Sequence, residues 1–251
     1  MAMRDYLDGA NASTPIALVT CASRMDVLSQ RLAQSPCLQK GGWLWSTYFN
    51  CTSAADAFNA ALATMPASGW LIWAHQDVYL PEGWEIQFQQ ALGAAQKRWP
   101  TLAVVGVYGV QGAGNKTVRA GHVLDRGQLL KEPAALPCLV DSLDELLLAV
   151  RVNTGLRMDP AMGFDFYATD LVLQAQEAGF CAAVVDAFCE HWSDTPARGA
   201  MPRQLIERVK TNGRAFESKW AHRFPIQTPC FGIAQCGDVA AFVDAIAVEQ
   251  P

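Results

Sequence analysis

The stretch LIWAHQDVYLPEGW, residues 71–84, sets an imidazole and a carboxylate at the end of an apolar run. His75 and Asp77 are two positions apart, so in extended chain they share a face. A carboxylate beside imidazoles is ligand chemistry for a divalent cation, the common companion of a diphosphate. The same residues also read as a turn cap ahead of Pro81 and a satisfied, partly buried histidine, and spacing alone leaves both readings open. Asp165 and Asp170 in GFDFYATDL straddle an expected helix start. There the helix dipole keeps a carboxylate ionised, which suits a general base and equally suits an ordinary N-cap. His191 in CEHWSD ends an expected strand, and His122 in AGHVLD follows a glycine-rich segment. The glycines of GVYGVQGAGN lack the dinucleotide-binding spacing and no helix start follows them, so residues 111–128 read as a flexible loop near the site.

These side chains need a frame to hold them. Apolar, strand-like runs occur at 16–21, 42–50, 69–75, 102–110 and 180–192. Between and after them lie helical patterns at 27–36, 52–65, 84–99 and 169–179, the second opening on a Thr52/Ser53 cap signal. Residues 139–151 read as a short helix or a strand pair, and the tail from Pro202 as one helix with a looser end. Strands alternating with helices predict right-handed crossovers and an α/β fold with a mostly parallel sheet flanked by helices. In such sheets ligands bind beyond the carboxyl ends of the strands, where His75, Asp77 and His191 fall.

Composition narrows the function classes. A chain of 251 residues, 51% hydrophobic and 17% charged, is enough for one large core. A net charge of −5 with scattered Lys and Arg argues against a duplex nucleic acid partner. The longest apolar runs fall far short of the roughly 20 residues of a membrane-crossing helix. The first residues carry acids before any apolar stretch, unlike a secretory signal. Eight cysteines without a CxxC pair then read as reduced thiols of a cytoplasmic protein.

Taken in order, IALVTCASR, SAADAFNAAL, HQDVYLPEGW, GHVLD, FDFYATDLVLQAQEAGF and EHWS resemble the GT-A glycosyltransferases of the family-2 type, most closely their streptomycin-biosynthesis-type glycosyltransferase-like branch. The resemblance spans about residues 14–195, with HQDVYLP and FYATDL its most specific pieces. It implies a GT-A (Rossmann-like) nucleotide-diphospho-sugar transferase domain over 1–201, with 202–251 as a C-terminal helical extension packed on it. It implies sugar transfer, with inversion, from a nucleotide-sugar donor to a glycan or small-molecule acceptor, assisted by Mn²⁺ or Mg²⁺. Asp170 falls at the base, Asp77 at the end of the metal-binding Asp-x-Asp motif, and His191 where some relatives place a further metal ligand. His75 replaces the first carboxylate of that motif and joins the metal set, while Thr20, Asp77 and Tyr79 are assigned to the donor. Trp73, Tyr79 and Trp84 are candidates for stacking on a sugar or base, or else core. The alternative is a GT-A-like protein that binds a nucleotide or glycan without turnover.

Overall fold

A computed structural model describes residues 15–41, 43–194 and 199–249 as a mixed α/β structure. Its larger sheet has seven strands in the order Leu44–Phe49, Ile16–Ala22, Trp70–Ala74, Leu147–Arg151, Leu102–Gly106, Cys181–Val184, Cys138–Val140. Leu147–Arg151 lies antiparallel between Trp70–Ala74 and Leu102–Gly106, and Cys138–Val140 is antiparallel at one edge. The sheet is therefore mixed, with Leu147–Arg151 and Cys138–Val140 running against the other five strands. An apolar run such as LLLAV announces a strand buried on both faces, but side-chain periodicity carries no strand direction.

The second sheet runs Ser142–Leu143, Tyr108–Gln111, Val118–Asp125, Cys189–His191, Val78–Tyr79, with Gln128–Lys131 paired to Val118–Asp125. The runs at 102–110 and 180–192 each break and serve both sheets. The expected loop at 111–128 is mostly β-structure. Tyr108 pairs with Gly121 there, and a Cβ on Gly121 (φ +142°) would lie 2.5 Å from the Tyr108 ring and 2.7 Å from the Val107 carbonyl oxygen. Glycine thus permits a close strand approach that was read as a mark of mobility.

Helix Ala54–Thr64 opens on a capping box. Ser53 Oγ accepts from Asp56 N–H, and Asp56 Oδ2 accepts from Ser53 N–H at 2.9 Å. The 52–53 signal resolves to Ser53.

The tail holds two helices, Arg203–Trp220 and Asp238–Ile246, where one helix and a looser end were expected. They touch at Gly213, where a Cβ would sit 2.3 Å from Val239 Cγ1. The buried Glu217 carboxylate accepts from Gly237 N–H at 2.9 Å and Val239 N–H at 2.8 Å, capping the second helix from the first. Phe216 and Trp220 bury the first helix against the body of the protein. Among the described residues, no helix is long and apolar enough to cross a membrane.

Candidate metal centre

His75 and Asp77 do not share an extended face. The strand stops at Ala74, and a turn closed by Val78 N–H to the His75 carbonyl (3.2 Å) carries both residues. The Val78–Tyr79 strand pairs with Cys189–His191, which brings His191 opposite Val78. The three side chains converge so that one ligand atom from each lies within 4.8 Å of the others. His191 Nε2 is 3.4 Å and His75 Nδ1 3.9 Å from Asp77 Oδ1.

Both histidines are oriented from behind. His191 Nδ1 meets Asp125 Oδ1 at 2.8 Å, which leaves Nε2 facing the cluster, enclosed and without a hydrogen bond. A carboxylate behind an imidazole is the usual outer support of a metal-ligating histidine. His75 Nε2 lies 2.6 Å from the Tyr167 hydroxyl. That oxygen also accepts from Trp73 Nε1 at 3.0 Å and gives its proton to the Glu145 carbonyl at 3.1 Å. His75 therefore donates through Nε2, and its Nδ1 lone pair is left toward Asp77.

Burial, aided by His191, lowers His75 to about 4 and keeps it neutral. Asp77 falls to about 2: burial opposes its charge, but His191 and His75 outweigh that. His191 rises to about 9 because Asp125 and Asp77 overcome the burial that disfavours its charged form. A proton on His191 thus occupies the place a cation would take, and cation binding displaces it. An orphaned imidazole nitrogen, a free Nδ1 and an ionised carboxylate fit a small divalent ion that favours mixed N/O ligands.

Two cavities meet at this cluster, and His75 lines both. One, of about 380 Å³, is bounded by the carboxyl ends of the first three parallel strands through Ser23, Asn50 and Gln76, with Arg208 across from them. The other, of about 480 Å³, holds Asp125, Asp144, Glu145, Asp165 and His191 at its polar end. Among the described residues, the non-glycine positions in left-handed backbone are Asn50, Arg126 and Phe166, and each lines one of these cavities. Backbone held in that region gathers at binding sites because the surrounding contacts must enforce it.

Other expected site residues lie elsewhere. Asp170 is fully buried and lines neither cavity. Its Oδ1 takes Lys219 Nζ at 2.7 Å and Trp220 Nε1 at 2.8 Å, and its Oδ2 takes Gln174 Nε2 at 2.6 Å. Asp170 thus ties its helix to the tail. Thr20 is buried mid-strand and Tyr79 sits on the short strand paired with Glu190; neither lines either of these two cavities. Trp84 is core, stacked on Phe88 at 4.9 Å, whereas Trp73 lines the smaller cavity. His122 packs on Phe188 at 4.8 Å. Asp165 lines the larger cavity and is held by Arg208 through two 3.0 Å bonds and by Asn212 at 2.7 Å.

Sequence reasoning missed Glu145 and Arg208. Glu145 lay in a run read only for secondary structure, yet its Oε1 is enclosed without a partner. Burial, with Asp165 and Asp144 nearby, raises it well above the usual carboxylate range.

No family model matches the chain. It is 29% identical over 157 residues to the ATP synthase subunits region ORF 6 protein of Fuscovulum blasticum, a match covering 61% of this chain and 63% of that protein. Its fold aligns with a crystal structure of GalNAc-T7 with UDP, GalNAc and Mn²⁺ at a TM-score of 0.47 and 11% identity, over 92% of this chain and 55% of that one. The chain thus spans less than two thirds of the length of either protein.

Proposed function

We propose that the protein is a metal-assisted glycosyltransferase of the GT-A, family-2 type, moving a sugar with inversion from a nucleotide-diphosphate donor to an acceptor hydroxyl. The observation that carries this reading is the convergence of His75, Asp77 and His191 where two cavities meet. The donor occupies the smaller cavity beyond the strand ends, the position ligands take in open α/β sheets. His75, Asp77 and His191 would hold a divalent cation, which would supply positive charge against the departing diphosphate. Arg208 adds a planar cation on the same side.

Glu145 serves as the base in this reading, from the larger cavity. It takes the acceptor's hydroxyl proton as the acceptor oxygen bonds to the sugar's anomeric carbon. The bond from that carbon to the diphosphate oxygen breaks, and the diphosphate leaves with the electron pair. Burial raises Glu145, so it must lose its own proton before it can act as the base, whereas Asp170 is tied up by a lysine and an indole.

Thermal unfolding with a panel of nucleotide sugars, each with and without Mn²⁺, tests the reading. One UDP- or GDP-sugar is expected to stabilise the protein only when Mn²⁺ is present, by about 2.7 kcal/mol at one hundred times its dissociation constant. No shift with any donor would refute donor binding. The closed-off Asp170 favours a second reading, a binder without turnover, and a metal-dependent shift with no transfer to any acceptor would select it.

Gln76 gives a sharper check on where the donor sits. Its Oε1 accepts from Ser23 N–H at 3.1 Å and Arg24 N–H at 3.0 Å, pinning the loop after the first strand at the rim of the smaller cavity. Gln76→Ala is expected to raise the donor KM about tenfold, a binding loss of about 1.4 kcal/mol, with kcat and Mn²⁺ affinity held. An unchanged KM would move the donor out of that cavity.

A further inference from the structure

The two cavities differ in chemistry. The smaller presents Ser23, Asn50, Gln76, Asp77 and Arg208, a lining suited to a phosphorylated, hydroxyl-rich donor. The larger is mostly apolar, with Arg119 and Thr228 as polar groups beside Phe231 in addition to the acidic cluster. Away from His75 and Glu145 its apolar wall is Leu205 and Val209 from the first tail helix, Phe231, and Phe242 and Ile246 from the second. Leu205 and Val209 are four apart, so they stand on one helical face, and both are only partly covered. Phe231 and Phe242 stack at 4.0 Å with 14° between their planes, forming a flat aromatic wall.

A free sugar fits this wall poorly. Along Leu205, Val209 and the two phenylalanines its hydroxyls would leave water and find few partners, at about 1–3 kcal/mol for each bond left unmade. An apolar body gains about 25 cal/mol for each Å² it buries on such a surface. The volume of about 480 Å³ falls within the range of cavities that take drug-sized molecules.

We infer that the acceptor is a hydroxylated small molecule with an apolar, ring-bearing body, its hydroxyl at the Glu145–His75 end and its body against Leu205, Val209 and the Phe231–Phe242 stack. This rests on the transferase reading. The C-terminal tail then sets acceptor class, while the strand ends set donor class.

Calorimetric titration of the full chain with 2-naphthol, and separately with glucose, tests it. Saturable one-to-one binding of 2-naphthol is expected, with none for glucose over the same range. Val209→Trp fills the cavity and is expected to weaken 2-naphthol at least tenfold while Mn²⁺ binding stays unchanged, which also reports that the variant is folded. Leu205→Trp is the second variant should the first fail to fold. Equal binding of glucose, no binding of 2-naphthol, or 2-naphthol affinity unchanged in both variants would overturn the inference. Donor and Mn²⁺ binding without 2-naphthol binding would sink the acceptor class alone. Binding of 2-naphthol with no donor binding would sink the transferase reading, and the acceptor assignment with it.

Discussion

Asp77→Asn is expected to remove measurable Mn²⁺ binding while leaving the protein folded. Asp77 is the carboxylate at the centre of the cluster, with an imidazole nitrogen on either side at 3.4 and 3.9 Å. Without it, only the two imidazoles of the cluster remain as ligands and no carboxylate reaches the ion directly. The loss should exceed the roughly 10- to 100-fold that removal of an outer support costs. Asp125→Ala removes such a support, since Asp125 holds His191 through Nδ1 at 2.8 Å, and is expected to fall within that smaller range. Titration calorimetry with Mn²⁺ on the wild type and both variants gives the ordering. Equal affinity in wild type and Asp77→Asn would place any metal elsewhere.

Asp170→Asn and Glu145→Gln are expected to separate stability from chemistry. Removing one partner of a buried ion pair costs about 3–5 kcal/mol. The loss lies at or below the lower end here, because burial raises Asp170 despite Lys219 and Trp220, and Lys219 is 32% exposed and keeps Asp159 at 2.8 Å. A loss of about 3 kcal/mol lowers Tm by roughly 6–12 °C in a chain of this size. Transfer per folded Asp170→Asn molecule should stay within about twofold of wild type, since Asp170 lines neither cavity and the loss falls on folding. Glu145→Gln should do the reverse. Burial already disfavours the ionised carboxyl, so a neutral amide leaves Tm unchanged or slightly higher. Loss of a positioned base costs about 10²- to 10⁴-fold in kcat. Calorimetric Tm and single-turnover transfer for both variants decide the matter. A dead but stable Asp170→Asn protein would return the base to Asp170.

Asp170 shows how little local sequence says about the partners of a carboxylate. FYATDL does place a carboxylate in the first turn of a helix, Tyr167–Glu177. The sequence carried no sign that Lys219 and Trp220, some fifty residues on, would close over it. Those partners come from a tail outside the resemblance, and a contact between distant segments has no local periodicity to reveal it. Arg208 and the apolar wall of the larger cavity were hidden for the same reason.

What the sequence by itself determined is local. Most runs of apolar residues between turn formers read as strands, Thr52/Ser53 signals a helix cap, and an abrupt change from LIWA to HQD marks a strand end with polar residues. His75, Asp77 and His191 were legible because strand ends are the part of an α/β sheet where polar groups meet solvent and ligands. Strand direction, the partition of 102–110 and 180–192 between two sheets, and the partners that close over Asp170 were settled only by tertiary structure. Each depends on which distant segment packs alongside, and burial and ion pairing are properties of that packing rather than of the residue.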